Sequence, residues 1–261
     1  MTTAICFSVI SHGHGPLLNR LLAQMNAQPS LRGARVVVTL NLAGEAFDAA
    51  LYDALDLHVV CNAAPKGFGA NHNTAFAHCD AAWFGILNPD LALVDEEPFT
   101  AMLARVAEAG AAGAVDAGLI APRVLAADLV PEDSVRANLT PWSLVRRAMG
   151  YREPLQVRGD ARRGAPFFWI AGMCLLARAD AYRAVGGFDE RFFLYCEDYD
   201  LCARLYNAGW AIRLDEQARI IHEAQRDSHR TWRHLRMHLA SLAKVWLSGA
   251  FWRVTLLAPE T

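Results

Sequence analysis

Short apolar segments alternate with stretches of helical periodicity along the first third of the chain, and this alternation constrains the fold more than any other feature. The apolar segments lie at residues 4–10, 35–40, 57–61 and 82–87, and each ends in a polar or glycine-rich loop. Successive residues within them are apolar, which is typical of strands that are covered on both faces. The pattern predicts an α/β fold in which helices flank a mainly parallel sheet. Ligand-binding groups are expected at the carboxyl ends of its strands.

The same periodicities predict the later elements. Helices are expected at 17–25, 45–55, 72–79, 99–109, 178–185, 199–208 and 228–247, and strands at 118–124, 167–177, 211–214 and 219–222. Residues 126–165 break the pattern with prolines and arginines, which predicts a long excursion, partly helical and partly mobile, that acts as a mobile loop or lid. One α/β domain is therefore expected over residues 1–225, followed by a helical extension over 226–261.

Composition narrows the class of protein. The chain has 261 residues, is 54% hydrophobic and carries a formal net charge of -2, so it can bury a large core and shows no global charge for nucleic acid. Its six cysteines include no CxxC pair, which favours reduced, buried thiols in a cytoplasmic protein. The first ten residues lack the basic region of a signal peptide and are predicted to form a strand.

Three motifs carry a resemblance to a known family. Residues 186–223 read GGFDERFFLYCEDYDLCARLYNAGWAIRLDEQARIIHE, residues 66–73 read KGFGANHN, and residues 88–90 read NPD. Over about residues 4–225 the chain resembles family 2 glycosyltransferases with a GT-A fold. The second and third motifs are most similar to rhamnosyltransferase-like members. The chain departs from the family at Asn88, where the metal motif Asp-x-Asp has its first Asp, and at Asn41, where an Asp-Asn pair is frequent.

The resemblance implies a divalent-cation site. Asp90 would bind Mg²⁺ or Mn²⁺ together with the donor diphosphate, because hard cations take carboxylate and phosphate oxygens. His222, which closes the strand "RIIH", would be the second protein ligand, and imidazole suits Mn²⁺ better than Mg²⁺. In the alternative interpretation Asp90 caps a turn and His222 is structural.

Asp198 is the implied catalytic base. Apolar neighbours and the adjacent Glu197 should raise its pKa and help it to take a proton from an acceptor hydroxyl. The alternative is that Glu197 and Asp198 together cap the following helix. Asp200 is expected instead to pair with Arg204, four residues later on the helix.

The remaining site residues are assigned by their place around the expected sheet edge. The nucleotide-sugar donor is expected to contact Ile10, Ser11, His12, Asn41, Asn62, Lys66, Gly67, Asn71, Asn88, Arg226 and Arg230. The acceptor is expected near Gly172, Met173 and Glu197, because a glycine permits the close approach of a ligand.

The C-terminal stretch is basic and rich in aromatic residues. Arg226, Arg230, Arg233, Arg236, Lys244 and Arg253 alternate with Trp232, Leu235, Leu239, Leu242, Val245, Trp246, Phe251 and Trp252. Such a helix either rests on an anionic membrane surface or packs on the sheet or on a second subunit of a homodimer. A peripheral place on the inner face of the cytoplasmic membrane follows from the first interpretation.

Together these features imply an inverting glycosyltransferase. The best match is transfer of L-rhamnose from dTDP-L-rhamnose to a hydroxyl of a glycan or lipid-linked acceptor in bacterial surface polysaccharide synthesis. From the sequence, two alternatives remain open. One is a nucleotide-sugar-binding module that has lost transfer, because Asn88 replaces an acid. The other is a sugar nucleotidyltransferase, although the loop SHGHGP at 11–16 lacks the expected arginine or lysine.

Overall fold

The computed structural model describes residues 5–150, 155, 157, 159–223 and 232–257. Within these ranges the chain forms ten strands and eight α-helices. The strands are β1 (Ile5–Ser11), β2 (Arg35–Leu40), β3 (Asp56–Cys61), β4 (Trp83–Leu87), β5 (Leu91–Leu93), β6 (Ala117–Leu125), β7 (Val135–Ala137), β8 (Phe168–Ile170), β9 (Cys174–Arg178) and β10 (Ala211–His222). The helices are α1 (Gly15–Asn26), α2 (Phe68–Phe76), α3 (Pro98–Ala111), α4 (Pro141–Ala148), α5 (Ala179–Ala184), α6 (Glu197–Ala208), α7 (Trp232–Trp246) and α8 (Gly249–Leu257).

Eight strands form one sheet in the order β3-β2-β1-β4-β9-β6-β10-β5. Strands β1 to β4, β6 and β10 run in the same direction, whereas β9 and β5 run against their neighbours. The predicted mainly parallel sheet is therefore confirmed. Strands β7 and β8 pair separately as a small antiparallel sheet.

The sheet is covered on both faces because successive strand residues point to opposite sides. Val36 and Val38 of β2 belong to a core formed with α1 and α3, and Val37 belongs to the core on the opposite face with α2, α5, α6, α7 and α8. Aromatic contacts join sheet and helices on each face. Phe7 packs on Phe99 with ring centroids 4.9 Å apart on one face.

Three predictions of elements were wrong. Residues 45–55 contain only a 3₁₀ turn, Ala49–Leu51, because most of this segment is exposed and has no continuous apolar face to bury. The single strand expected at 167–177 is two strands, β8 and β9, which belong to different sheets. The two strands expected at 211–214 and 219–222 are one strand, β10, interrupted by a bulge after Asp215.

The segment 126–165 is not one loop. It contains β7 and α4, and Trp169 Nε1 donates a hydrogen bond to the carbonyl oxygen of Ala137 at 2.9 Å, which ties β7 to β8. Its action as a lid stays a prediction. Beyond it, the inner side chains of the last two helices are buried, namely Leu242, Val245, Phe251 and Val254. None of the described helices is long and apolar enough to cross a bilayer.

Candidate active site

Polar residues from distant parts of the chain meet at the carboxyl edge of the parallel strands. Ser11, Asn41, Asn62, Asn88 and His222 end or follow β1, β2, β3, β4 and β10. The reversed strands begin at this edge. Gly172 and Met173 therefore precede β9 there, and Asp90 precedes β5. The backbone N–H of Asn88 donates to the carbonyl oxygen of Met173 at 2.9 Å, which joins the two loops.

Asp198 is held by backbone donors at the start of α6. Its Oδ2 accepts from the Gly172 N–H at 3.0 Å and its Oδ1 accepts from the Tyr199 N–H at 2.8 Å. A Cβ at Gly172 would stand 3.3 Å from the Phe68 ring and 3.7 Å from Asp198 Cβ, so Gly172 lies next to both side chains. Gly172, the expected acceptor contact, is therefore closely packed against Asp198, the candidate base.

Burial perturbs both consecutive carboxyl groups. Desolvation raises the pKa of Asp198, although the Gly172 and Tyr199 N–H groups oppose the shift. Burial, and then the neighbouring Asp198, raise the pKa of Glu197 to about 8. Glu197 is only 5% exposed, and its Oε2 has no hydrogen-bond partner. The predicted rise in the pKa of Asp198 agrees with this environment. Its role as base stays a prediction.

The loop that precedes Glu197 has an unusual backbone. Tyr195 and Cys196 both adopt left-handed conformations, with φ of 74° and 65°. Such conformations are costly for residues other than glycine, and they persist where surrounding contacts fix them. Helix α7 supplies two of these contacts. Ser241 Oγ donates to the Leu194 carbonyl oxygen at 3.0 Å, and the Tyr195 hydroxyl lies 2.9 Å from His234 Nδ1.

The expected ion pair on α6 is confirmed. Arg204 Nε donates to Asp200 Oδ2 at 2.7 Å across one helical turn. Arg204 Nη1 also donates to the Val185 carbonyl oxygen at 2.6 Å. Asp200 therefore stabilises the helix that carries Asp198.

The loop 66–69 docks on the loop 188–193, so two motifs that are more than 100 residues apart in sequence form one unit. A Cβ on Gly67 would lie 2.7 Å from the Phe193 carbonyl oxygen, and one on Gly69 would lie 2.6 Å from Phe188 Cβ. The N–H of Phe68 donates to the same Phe193 carbonyl at 3.0 Å. Both glycines are required by close approach, and helix α2 begins at Phe68 rather than at the predicted His72.

Three buried asparagines expected to bind donor contact one another. Asn62 Nδ2 donates to Asn41 Oδ1 at 2.8 Å and to Asn71 Oδ1 at 2.7 Å. Asn41 also binds the backbone of Lys66 twice, through its Oδ1 at 2.9 Å and its Nδ2 at 3.0 Å. Their amides thus hold the loop that begins at Lys66, whose own side chain is exposed.

The first loop brings in an acid that the sequence pattern did not single out. Ser11 is fully buried, and its hydroxyl donates to a carboxylate oxygen of Glu45. The other oxygen of Glu45 accepts from the Gly13 N–H at 3.2 Å. Neighbouring His12 is exposed and Ile10 is half-buried. Of the expected donor contacts, Arg226 and Arg230 lie outside the described residues.

His222 lies between two carboxylates. Its Nε2 is 3.3 Å from Asp90 Oδ2, and its Nδ1 is 2.9 Å from Glu132 Oε2. Burial lowers the pKa of His222, but the neighbouring carboxylates of Asp90 and Glu132 outweigh this effect, and the net pKa is raised. Sequence reasoning missed Glu132, which lies in the irregular segment 126–165 without any local motif.

Proteins of known activity resemble this chain in sequence. A family model described as glycosyl transferase family group 2 matches residues 156–254. N-acetylglucosaminyl-diphospho-decaprenol L-rhamnosyltransferase of Mycobacterium tuberculosis is 29% identical over 92% of this chain and 82% of its own length. Rhamnosyltransferase WbbL of Escherichia coli is 25% identical over 89% of each chain.

Solved structures share the fold. The mannosyltransferase PcManGT of Pyrobaculum calidifontis, in complex with GDP-Man and Mn²⁺, superposes with a TM-score of 0.63, 16% identity and coverage of 97% of this chain and 68% of that chain. GalNAc-T7 with UDP, GalNAc and Mn²⁺ gives a TM-score of 0.66 at 11% identity, over 95% of this chain and 49% of that one.

The protein is a glycosyltransferase with a GT-A fold, and its residues 156–254 are similar to glycosyl transferase family group 2. The binding-module and nucleotidyltransferase alternatives are therefore set aside.

The candidate site at the carboxyl edge of the sheet fits a divalent cation in one respect. Asp90 Oδ1 is buried and has no hydrogen-bond partner, and Asp90 Oδ2 faces a histidine nitrogen. A carboxylate oxygen and an imidazole nitrogen suit Mn²⁺. Among the described residues, no group of three or more His, Cys, Asp or Glu is arranged to hold an ion. Further ligands would therefore have to come from a bound diphosphate or water.

Proposed function

We propose that this glycosyltransferase is inverting and transfers L-rhamnose from dTDP-L-rhamnose to a hydroxyl of a lipid-linked acceptor in bacterial surface polysaccharide synthesis. The sugar is supported by the names of the two curated relatives, each of which aligns with about nine-tenths of this chain. The name of the mycobacterial relative states an N-acetylglucosaminyl-diphospho-lipid, and this supports an acceptor of the same class.

The observation that carries the proposal is the setting of Asp198. Its carboxylate is anchored by the Gly172 and Tyr199 N–H groups, and burial raises its pKa. A carboxylate with a raised pKa can take a proton from a sugar hydroxyl during attack. The acceptor would then approach beside Gly172 and Met173. Buried Glu197 would keep the surroundings of Asp198 poorly hydrated rather than contact the sugar directly.

A divalent cation, Mn²⁺ or Mg²⁺, is proposed to bind Asp90 and His222. When bound, such an ion stabilises negative charge on a leaving diphosphate. Mn²⁺ is present in two of the solved relatives of the same fold. The unpartnered Oδ1 of Asp90 supports this assignment.

The donor is proposed to lie over the ends of β1, β2 and β3. Exposed Lys66 would reach a nucleotide from this edge, as would exposed His12, whose Nδ1 lies 3.2 Å from Asn41 Nδ2, and Ile10 and Asn88 are half-buried beside them. Ser11, Asn41, Asn62, Gly67 and Asn71 are buried, and they would shape the donor site by holding its loops. Arg226 and Arg230 stay predicted diphosphate contacts.

A cytoplasmic enzyme that rests on the inner face of the membrane is proposed, because a lipid-linked acceptor would be presented there. Exposed Trp142, Trp232 and Trp252 on α4, α7 and α8 support a peripheral contact. Residues 232–257 contain no Asp or Glu. Such a basic surface attracts anionic lipid and repels a second copy of itself, which favours a membrane over a second subunit as its partner.

A donor panel tests the function. Thermal shifts are measured with dTDP-L-rhamnose, UDP-GlcNAc and GDP-mannose in Mn²⁺, because a ligand that binds the folded state raises its apparent stability. Transfer to N-acetylglucosaminyl-diphospho-polyprenol is then followed with the same donors. The largest shift and turnover are expected with dTDP-L-rhamnose. A preference for UDP or GDP sugars would overturn the donor assignment, and full activity in excess chelator would overturn the metal site.

A further inference from the structure

Glu132 enters the candidate metal site from a segment that contains none of the family motifs. Its backbone N–H donates to the Val124 carbonyl oxygen at 2.9 Å, which fixes the turn that follows β6. Its side chain is 15% exposed and directs Oε2 to within 2.9 Å of His222 Nδ1. The two residues are 90 positions apart, so only the tertiary fold brings them together.

The opposite side of the imidazole ring faces Asp90. Nε2 of His222 lies 3.3 Å from Asp90 Oδ2. Strand pairing fixes this approach, because His222 pairs with Leu91 and the Glu223 N–H donates to the Asp90 carbonyl oxygen at 2.9 Å. The ring is therefore held in line between two carboxylates, one on each nitrogen.

We propose that Glu132 is a positioning residue for the cation site, an inference that rests on the metal part of the proposed function. Glu132 accepts the proton of Nδ1, which leaves Nε2 as the nitrogen that would bind an ion held by Asp90. A neutral imidazole carries one N–H and one acceptor nitrogen, and the partner of the N–H decides which nitrogen can bind a metal. Carboxylates that accept from the distal nitrogen of a metal-binding histidine also fix the ring orientation.

Glu132 is not a ligand in this arrangement. It contacts the ring nitrogen that faces away from Asp90. The imidazole ring therefore separates the two carboxylates, and they cannot both bind the same ion. Glu223, the nearest other acid on this strand, gives its Oε2 to Arg20 at 2.7 Å. Asp90 and His222 thus form a two-residue protein site with Glu132 behind it.

Mn²⁺ binding measures the effect without relying on turnover. Electron paramagnetic resonance titrations count free Mn²⁺ with wild type, Glu132→Ala, Glu132→Gln and His222→Gln, each with and without dTDP or UDP. Glu108→Gln, on the exposed side of α3, is the matched control. Pulsed measurements record the ¹⁴N coupling of bound Mn²⁺, and thermal unfolding verifies that each variant is folded.

The expected result is specific. Wild type and Glu108→Gln should bind Mn²⁺ equally and show ¹⁴N coupling, which His222→Gln should abolish. Glu132→Ala should weaken binding by about 10- to 100-fold and reduce the coupling. Glu132→Gln should recover part of both, because its amide oxygen can still accept from Nδ1. Equal Mn²⁺ affinity and coupling in folded Glu132→Ala and wild type would overturn the role of Glu132 alone. Failure of wild type to bind Mn²⁺ under any condition would overturn the metal site and this inference with it.

Discussion

Glu197 and Asp198 carry adjacent carboxyl groups that differ in their hydrogen-bond partners. Asp198 accepts two backbone N–H bonds, whereas Glu197 is almost fully buried and one of its oxygens has no partner. Desolvation penalises the charged form of both groups, and each charge disfavours the other. Asp198 is therefore the more readily ionised of the two and the better base.

Replacing Asp198 tests its role directly. Asp198→Asn keeps the shape and removes the base, so kcat should fall by about 10²- to 10⁴-fold. The variant should stay folded but lose about 1–3 kcal/mol of stability in urea, because its amide has one acceptor oxygen for two backbone N–H groups. Asp53→Asn, at an exposed position after the Ala49–Leu51 turn, is the control and should keep full activity. Near wild-type turnover in folded Asp198→Asn would show that another group takes the proton.

Glu197 should make folding stability depend on pH. Its pKa rises from 4.5 to about 8 on folding, so the folded state favours the protonated form. Its contribution to stability is fully present below pH 4.5 and is lost as pH rises toward 8. The loss is about 5 kcal/mol, because each pH unit by which the pKa rises corresponds to about 1.4 kcal/mol. Glu197→Gln should remove it.

Urea unfolding of wild type and Glu197→Gln between pH 5 and pH 8, the range given by the pKa rise, measures this difference. The variant should be the more stable protein at pH 8 and should lose the advantage at pH 5. Parallel pH curves for the two proteins would mean that Glu197 is ionised in the folded state. Glu108→Gln should give a curve parallel to that of wild type.

At the scale of elements, the loop at 66–69 is fixed from two sides. The asparagine cluster binds the backbone of Lys66 from the sheet, and Phe193 accepts the Phe68 N–H from the loop before α6. The segment 66–69 and the loop that leads into α6 are thus parts of one packed unit. A displacement of either should affect both binding and turnover.

Gly67→Ala tests this coupling. The added Cβ would meet the Phe193 backbone at 2.7 Å, where no flexible side chain can yield. We expect a loss of about 1–3 kcal/mol of stability from overpacking, together with weaker donor binding and lower kcat. Gly110→Ala, in α3 with no atom near its Cβ, should instead stabilise the protein by about 0.5–1 kcal/mol. Unchanged donor affinity in Gly67→Ala would argue that the loop does not shape the donor site.

At the scale of the whole molecule, the last helices present two different faces. Leu242, Val245, Phe251 and Val254 pack into the core, as the packing interpretation of the tail predicted. The opposite side exposes apolar residues. The start of α4 is held close to α7, since Trp246 Nε1 donates to the carbonyl oxygen of Leu139 at 2.9 Å just before α4 begins. These outward residues are Trp142, Val145, Trp232, Leu235, Leu239, Trp252 and Leu256.

Charge reversal on this surface tests membrane binding. Arg236→Glu with Arg253→Glu should reduce sedimentation with phosphatidylglycerol vesicles by at least about tenfold, because each basic residue near an anionic surface contributes about 1 kcal/mol. Wild type should bind these vesicles less in high salt and should not bind phosphatidylcholine vesicles. Arg32→Glu with Arg162→Glu is the control on exposed residues elsewhere. Equal vesicle binding by both double variants would contradict the proposal, and a dimer lost only in the first would assign the surface to self-association.

The sequence by itself determined the α/β class, the edge at which the site lies, and the pairing of Asp200 with Arg204. These follow from local rules, since strand and helix periods and spacings of four residues are visible within short windows. Local windows failed at 45–55, where most of the segment is exposed and only Tyr52 and Leu55 are buried, and at 167–177, where one apolar run divides between two sheets.

Only the tertiary structure placed Glu132 on His222, joined the three asparagines, and set Gly67 against Phe193. Buried polar groups take whichever partner the fold brings within hydrogen-bond distance, and no sequence period marks that partner. The same holds for close approach, because a glycine shows its necessity only when the opposing backbone is known. Sequence thus supplied the candidate acids, and packing decided which of them face one another.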